Sequence, residues 1–130
     1  MIREQHNNVI LVVDDNINNI KVLVYYLKDH GFEIAIARNG TTGLERAEML
    51  QPDLILLDVM MPRMDGWETL HALQADEQTA NIPVLMLTAM RGSESVKKSF
   101  DQGSVWYYSK PITDHHDLLL VIRRILDQQS

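Results

Sequence analysis

Residues 9–16 read Val-Ile-Leu-Val-Val-Asp-Asp-Asn, an unbroken apolar run that stops on two acids. A run of this kind, without polar alternation, is expected of a strand covered on both faces, as in a parallel sheet packed between helices. Leu54-Ile55-Leu56-Leu57-Asp58 repeats the pattern, and Val84-Leu85-Met86-Leu87-Thr88 repeats it again after Pro83. Behind the first run, Ile17, Ile20, Leu23, Val24 and Leu27 recur at helical spacing as far as His30, and Gly31 is placed to end that helix. Asn16 or Asp15 suits its N-cap.

The remaining chain follows the same rhythm. Residues 33–37 alternate and read as a strand nearer an edge. Thr42 and Glu45 fit a capping box for a helix through Leu50, stopped by Pro52. Asp65 and Glu68 fit a second box, ahead of a stripe of Trp67, Leu70 and Leu73. Residues 93–102 read as a weaker helix with Val96 and Phe100 inward and Gly103 as its stop. Residues 105–108 form a short fifth strand before Lys110-Pro111. From Thr113 a last helix carries Leu118, Val121, Ile122 and Ile125 on one face. Strands alternating with helices in this way argue an α/β fold: a single doubly wound (βα)5 domain, a parallel sheet with helices on both faces and right-handed crossovers. A chain of 130 residues suits one domain. Its expected limits are residues 8–127, with residues 1–7 and 128–130 as flexible ends.

Composition narrows the function. Cysteine is absent, which excludes a disulfide scaffold, a thiol nucleophile and a thiolate metal site. The net charge is −6, and gripping nucleic acid phosphates needs a surplus of Lys and Arg, so no direct nucleic acid binding is expected. No apolar run approaches the ~20 residues of a membrane span, and the first eight residues carry no signal core. These features predict a soluble, cytoplasmic protein with no membrane partner.

Ligands of open parallel sheets bind outside the carboxyl ends of the strands. The chain puts Asp14 and Asp15 after the first strand, Asp58 after the third, Thr88 after the fourth and Lys110 after the fifth, while the second contributes Arg38 and Asn39. A single polar residue there is commonly a turn former or a helix cap. Three carboxylates converging on one rim are harder to explain in that way. Two unit charges about 4 Å apart repel by roughly 4 kcal/mol at an effective dielectric near 20. Such a cluster needs a cation, and hard oxygen donors suit Mg²⁺, which completes its shell with waters and a phosphate oxygen. Zinc or copper would want His or Cys, and the five histidines are scattered, His115 and His116 being adjacent and so divergent on a helix. With Lys110 and Thr88 as donors to phosphoryl oxygens, Asp58 becomes a candidate nucleophile of an aspartyl-phosphate intermediate.

These residues resemble the receiver domain of two-component response regulators over nearly the whole chain, from about Val9 to Leu126. The carrying motifs are Leu-Val-Val-Asp14-Asp15-Asn, then Pro52-Asp-Leu-Ile-Leu-Leu-Asp58-Val-Met-Met-Pro62-Arg-Met-Asp65-Gly66, then Leu87-Thr88-Ala89, then Lys110-Pro111. The resemblance implies a sheet of order 2-1-3-4-5. It implies that Asp58 accepts a phosphoryl group from a phosphohistidine of a sensor histidine kinase or phosphotransfer protein. Asp15 and Asp58 would ligate Mg²⁺ with the backbone carbonyl of Met60, Asp14 would act through water, and Mn²⁺ would substitute. Lys110 and Thr88 would hold phosphoryl oxygens, and Lys110-Pro111 would be a cis bond. Tyr107 would be the switch aromatic, turning inward as Thr88 moves; its plain alternative is a strand aromatic packed in the core. The domain would be regulatory, catalysing only its own phosphorylation and dephosphorylation. It would act as a stand-alone regulator or as the receiver part of a larger response regulator or hybrid kinase. A downstream output protein or domain is implied, and a homodimer formed on phosphorylation is left open.

Some positions depart from that pattern. Trp106 and Tyr108 share one strand face, opposite Tyr107, at the edge the family uses for output. They read equally as a partner-binding patch or as packing under the last helix. Ile112 stands where the family often has Phe. Met60 and Met90 stand two residues past Asp58 and Thr88, at positions that the resemblance implies influence hydrolysis of the phosphoryl group; neither can orient a water by hydrogen bonding, which predicts a long-lived phosphoaspartate. Three rival readings fit less well. A haloacid-dehalogenase-type phosphatase needs a carboxylate where Met60 stands. A flavodoxin-like binder needs a phosphate loop where Asp14-Asp15 would repel it. A degenerate receiver serving only as a binding module would lack site residues that are all present here.

Overall fold

Strand β1 (Val9–Val13) forms where the opening run predicts it, and its lack of polar alternation has the expected cause. Ile10 and Val12 enter one apolar core and Leu11 and Val13 the other, so both faces of the strand are covered. The computed structural model describes residues 8–61, 63–88, 105–110 and 112–128. Within them the order is β1, α1 (Ile17–Asp29), β2 (Glu33–Ala37), α2 (Gly40–Leu50), β3 (Leu54–Asp58), α3 (Gly66–Ala75), β4 (Val84–Thr88), β5 (Val105–Ser109) and α4 (His115–Gln128). The sheet is parallel throughout, in the order β2-β1-β3-β4-β5.

Two cores sandwich this sheet. On one side α1 (Ile20, Leu23, Leu27) and α4 (Leu118, Leu119, Ile122, Ile125) pack on Ile10, Val12, Leu54, Leu56, Leu85 and Leu87. On the other, Ala47 of α2 and Leu70 and Leu73 of α3 pack on Leu11, Val13, Ile55, Leu57, Val84 and Met86. All of β3 and β4 is buried, whereas β2, an edge strand, keeps Ile34, Ala35 and Ile36 only half-buried. This is the edge position its alternation predicted. The helix expected over residues 93–102 lies outside the described residues, as do Met90, Pro111 and therefore the Lys110-Pro111 bond.

The helix starts follow side-chain caps. Asn16 caps α1, its Oδ1 accepting from the amides of Asn18 and Asn19. Asp65 and Glu68 form the reciprocal box at α3. The box expected at Thr42 and Glu45 does not form: α2 begins at Gly40, because Asn39, in extended backbone, caps it through the Thr42 amide at 2.8 Å. The last helix begins at His115, and Asp114 Oδ1 accepts from the amides of His116 and Asp117. Ile17, expected inward, is 43% exposed and leaves the inward face of α1 to Ile20, Leu23 and Leu27.

Register sets the functional rim. Val13 pairs with Leu57, Asp58 with Leu87 and Thr88 with Ser109, so the carboxyl ends of the inner strands stand side by side. Gly66 holds the loop after β3 against that rim. A Cβ there would run into the Asp58 carbonyl and, at 2.6 Å, the Cα of Val59, so only glycine lets the start of α3 close on the end of β3. Its amide donates to the Val59 carbonyl at 2.8 Å.

Candidate functional site

The five polar residues expected at the strand ends do meet on one rim. Asp14, directly after β1, is 1% exposed, and Asp58, the last residue of β3, is 3% exposed. Asp15 is half-buried beside them. One carboxylate oxygen from each of Asp14, Asp15 and Asp58 lies within 4.8 Å of the others. Lys110, just past β5, reaches across from the far edge: its Nζ donates to Asp58 Oδ1 at 3.0 Å and stands 3.9 Å from Asp14 Oδ2. The lysine is aimed by its own backbone, whose amide donates to the Thr88 carbonyl at 2.8 Å and continues the β4–β5 ladder one residue past the strand. Thr88 itself is fully buried at the end of β4.

The electrostatics are unbalanced. Burial raises the Asp58 carboxyl above its ordinary range, and the Asp14 charge pushes the same way. The hydrogen bond and charge of Lys110 and the Met60 backbone amide oppose that rise without cancelling it. Asp14 Oδ1 accepts from the Asn16 amide at 2.9 Å, but its Oδ2 is buried with no hydrogen-bond partner. A buried carboxylate oxygen left in this state is costly. Three acids against one lysine leave a deficit of positive charge. Oxygen donors in close array, one of them orphaned, fit a hard divalent cation and not a soft one.

The other expected residues fall as follows. Met60 follows the rim in the loop after β3, and its side chain is 64% exposed. Tyr107 lies in the middle of β5, opposite Met86, and is half-buried. Trp106 and Tyr108 are also half-buried and pack against the core formed by α1 and α4. The Tyr108 hydroxyl donates to Asp117 Oδ2 at 2.7 Å, and burial together with that bond pushes the phenol up to about 12. Ile112 packs on the same core. Arg38 joins the site through its Nη2, which donates to the Asp15 carbonyl at 3.2 Å. Its position at the end of β2 was visible in the sequence, but the contact was not, because it links residues 23 apart in the chain.

Comparison with known proteins agrees with the geometry. A family model described as "Response regulator receiver domain" matches residues 10–124. The chain is 38% identical over 117 residues to the DNA-binding dual master transcriptional regulator RpaA of Synechocystis, covering 90% of this chain and 48% of that protein. It is 37% identical over 102 residues to the DNA-binding response regulator MtrA of Mycobacterium leprae, covering 78% of this chain and 44% of that protein. Among solved structures, the Vibrio cholerae chemotaxis protein CheY4 superposes with a TM-score of 0.85 at 30% identity, covering 92% of this chain and 99% of that one. The chain thus spans about half the length of the two curated relatives. Their names correct one expectation. The acidic balance predicts no direct nucleic acid binding, yet two relatives sharing this segment are DNA-binding regulators. Net charge over this segment describes its own surface and does not report on the partners of proteins twice as long. Among the described residues, no helix is long and apolar enough to cross a membrane.

Proposed function

The chain belongs to the response regulator receiver domain family, and from that membership we propose that Asp58 is its phosphoacceptor, taking a phosphoryl group from the phosphohistidine of a sensor kinase or phosphotransfer protein. The observation that carries this reading is the buried Asp58 carboxylate held 3.0 Å from Lys110 Nζ and crowded by Asp14 and Asp15. An Asp58 oxygen attacks phosphorus, the bond from phosphorus to the imidazole nitrogen breaks, and the freed imidazole takes a proton from water. Lys110 then turns its N–H donors from the carboxylate to a phosphoryl oxygen, and the Thr88 hydroxyl takes another. Phosphoryl transfer needs mainly this positioning and neutralisation of charge.

Asp15, Asp58 and the Met60 carbonyl would hold Mg²⁺ or Mn²⁺, with Asp14 acting through water. The ion supplies charge neutralisation to the phosphoryl oxygens when bound. Tyr107 serves as the aromatic that responds to Thr88, and the exposed edges of Trp106 and Tyr108 serve an output partner. The domain is regulatory and cytoplasmic, and it acts on no substrate other than its own aspartate.

Incubation with acetyl phosphate and Mg²⁺, followed by intact mass measurement, tests the reading. A gain of one phosphate, lost in Asp58→Asn, is expected. Multiple turnover of diverse phosphate esters would assign the site to a phosphatase instead.

A further inference from the structure

A phosphodonor is anionic, and the rim that must receive it carries three clustered carboxylates on a protein of net charge −6. At long range such a rim repels its own substrate. Beside it lies a feature of opposite sign. A cavity of about 560 Å³ separates the loop after β2 from the loop after β3, and Arg38 and Arg63 both line it, with Glu45 as the single acid in its wall. Arg38 is fixed against the rim by its bond to the Asp15 carbonyl, a backbone oxygen, so it neutralises no carboxylate there. Arg63 stands five residues past Asp58 and is exposed. Among the described residues, the ion pairs of this rim are made by Lys110, and neither arginine shares in them. Arg38, held at the rim by a backbone oxygen, and the exposed Arg63 thus both bring positive charge to the wall of this cavity.

We propose that Arg38 and Arg63 form a capture site for small dianionic phosphodonors of the acyl phosphate class, raising their concentration at the rim before transfer to Asp58. The proposal rests on the reading of Asp58 as phosphoacceptor. The two positive charges attract phosphate oxygens, and a local positive field speeds the encounter with an anion until salt screens it. In the transfer that follows, the Asp58–phosphorus bond forms, the bond from phosphorus to the acyl oxygen breaks, and the carboxylate of the donor leaves.

The test compares the full chain with R38A/R63A, R38K/R63K and R123A/R124A, the last removing the same charge from α4. One arm measures initial phosphorylation by acetyl phosphate in Mg²⁺ at low and at physiological salt. R38A/R63A is expected to be about tenfold slower at low salt, with a gap that narrows as salt rises. R38K/R63K keeps most of the rate, because steering needs charge more than a fork, and R123A/R124A keeps all of it. A wild-type rate in R38A/R63A, or an equal loss in R123A/R124A, overturns the proposal. The second arm titrates inorganic phosphate and follows the Thr41 and Thr42 amides by NMR. Shifts that vanish in R38A/R63A support capture, and their absence in the wild type overturns it. A wild type that never gains phosphate on Asp58 defeats the phosphoacceptor reading instead, and the second arm then judges capture alone.

Discussion

Replacing Asp58 by Asn should make the metal-free protein more stable, although it removes the proposed phosphoacceptor. The structure fixes the sign. At 4.8 Å, the outer limit of their spacing, and an effective dielectric near 20, each repulsion of Asp58 by Asp14 or Asp15 amounts to at least about 3.5 kcal/mol, while the attraction of Lys110 at 3.0 Å returns about 5.5. The half-exposure of Asp15 screens its share, whereas relief from burying a charge adds to the gain. The expected net stabilisation is about 1–2 kcal/mol at neutral pH in chelator, read from urea unfolding of both proteins by tryptophan fluorescence. The pH dependence follows from linkage. The folded state raises the Asp58 carboxyl above its ordinary 3.8, so it binds that proton more tightly than the unfolded chain does. The associated stability is complete below the ordinary value and is lost as pH rises through the folded one. The advantage of Asp58→Asn should therefore vanish at acid pH and grow towards neutrality. Mg²⁺ at ten times its dissociation constant should restore about 1.4 kcal/mol to the wild type and much less to the variant. A variant less stable than wild type by 1 kcal/mol or more in chelator, with a difference insensitive to pH, would refute the account of the rim as a site under electrostatic stress.

Other outcomes follow from single contacts. Gly66→Ala forces a methyl group into the backbone of Asp58 and Val59; it should cost about 1–3 kcal/mol and slow phosphorylation, measured by unfolding and by mass gain. A spectrophotometric titration should find one phenol near 12 that disappears in Tyr108→Phe and falls towards 10 in Asp117→Asn; an unchanged titration in Asp117→Asn would remove the hydrogen bond as its cause. Loss of that bond in Tyr108→Phe should cost about 1 kcal/mol below pH 10. Met60, exposed two residues past the proposed acceptor, offers no hydrogen bond to a water, so the phosphoaspartate should be long-lived and Met60→Gln should shorten its half-life several-fold after donor removal. A wild-type half-life of seconds would count against this.

The site was legible because its residues obey a rule of chain direction. In a parallel sheet, the residues that end each strand or directly follow it fall on the same rim, so Asp14, Asp58, Thr88 and Lys110 could be grouped from four separate stretches without knowing any distance. The core was legible for a related reason. Runs such as Leu54-Ile55-Leu56-Leu57 have no polar face, and the structure divides them between two cores, Leu54 and Leu56 to one side and Ile55 and Leu57 to the other. The start of α2 was not legible, since Asn39 and Thr42 each satisfy a capping pattern. Asn39 prevails because it captures the Thr42 amide and so adds a turn at the front of the helix.

The ambiguity over Trp106 and Tyr108 had a different source. Strand periodicity places both on one face but says nothing of what covers that face. Part of that face is covered by α4, whose Leu118, Leu119 and Ile122 belong to the core on which the two aromatics pack and whose Asp117 receives the Tyr108 hydroxyl, and both residues stay half-exposed. The pairing of Arg38 with Arg63 shows the same limit. They sit on loops after different strands, and neither belongs to a periodic pattern or to a motif that requires charge. Only when the sheet brings β2 and β3 to either side of β1 do two unremarkable arginines border the same cavity, one of them held against the backbone of an acid. Directional rules thus reach residues at strand ends, while functions that arise between loops wait for the fold that juxtaposes them.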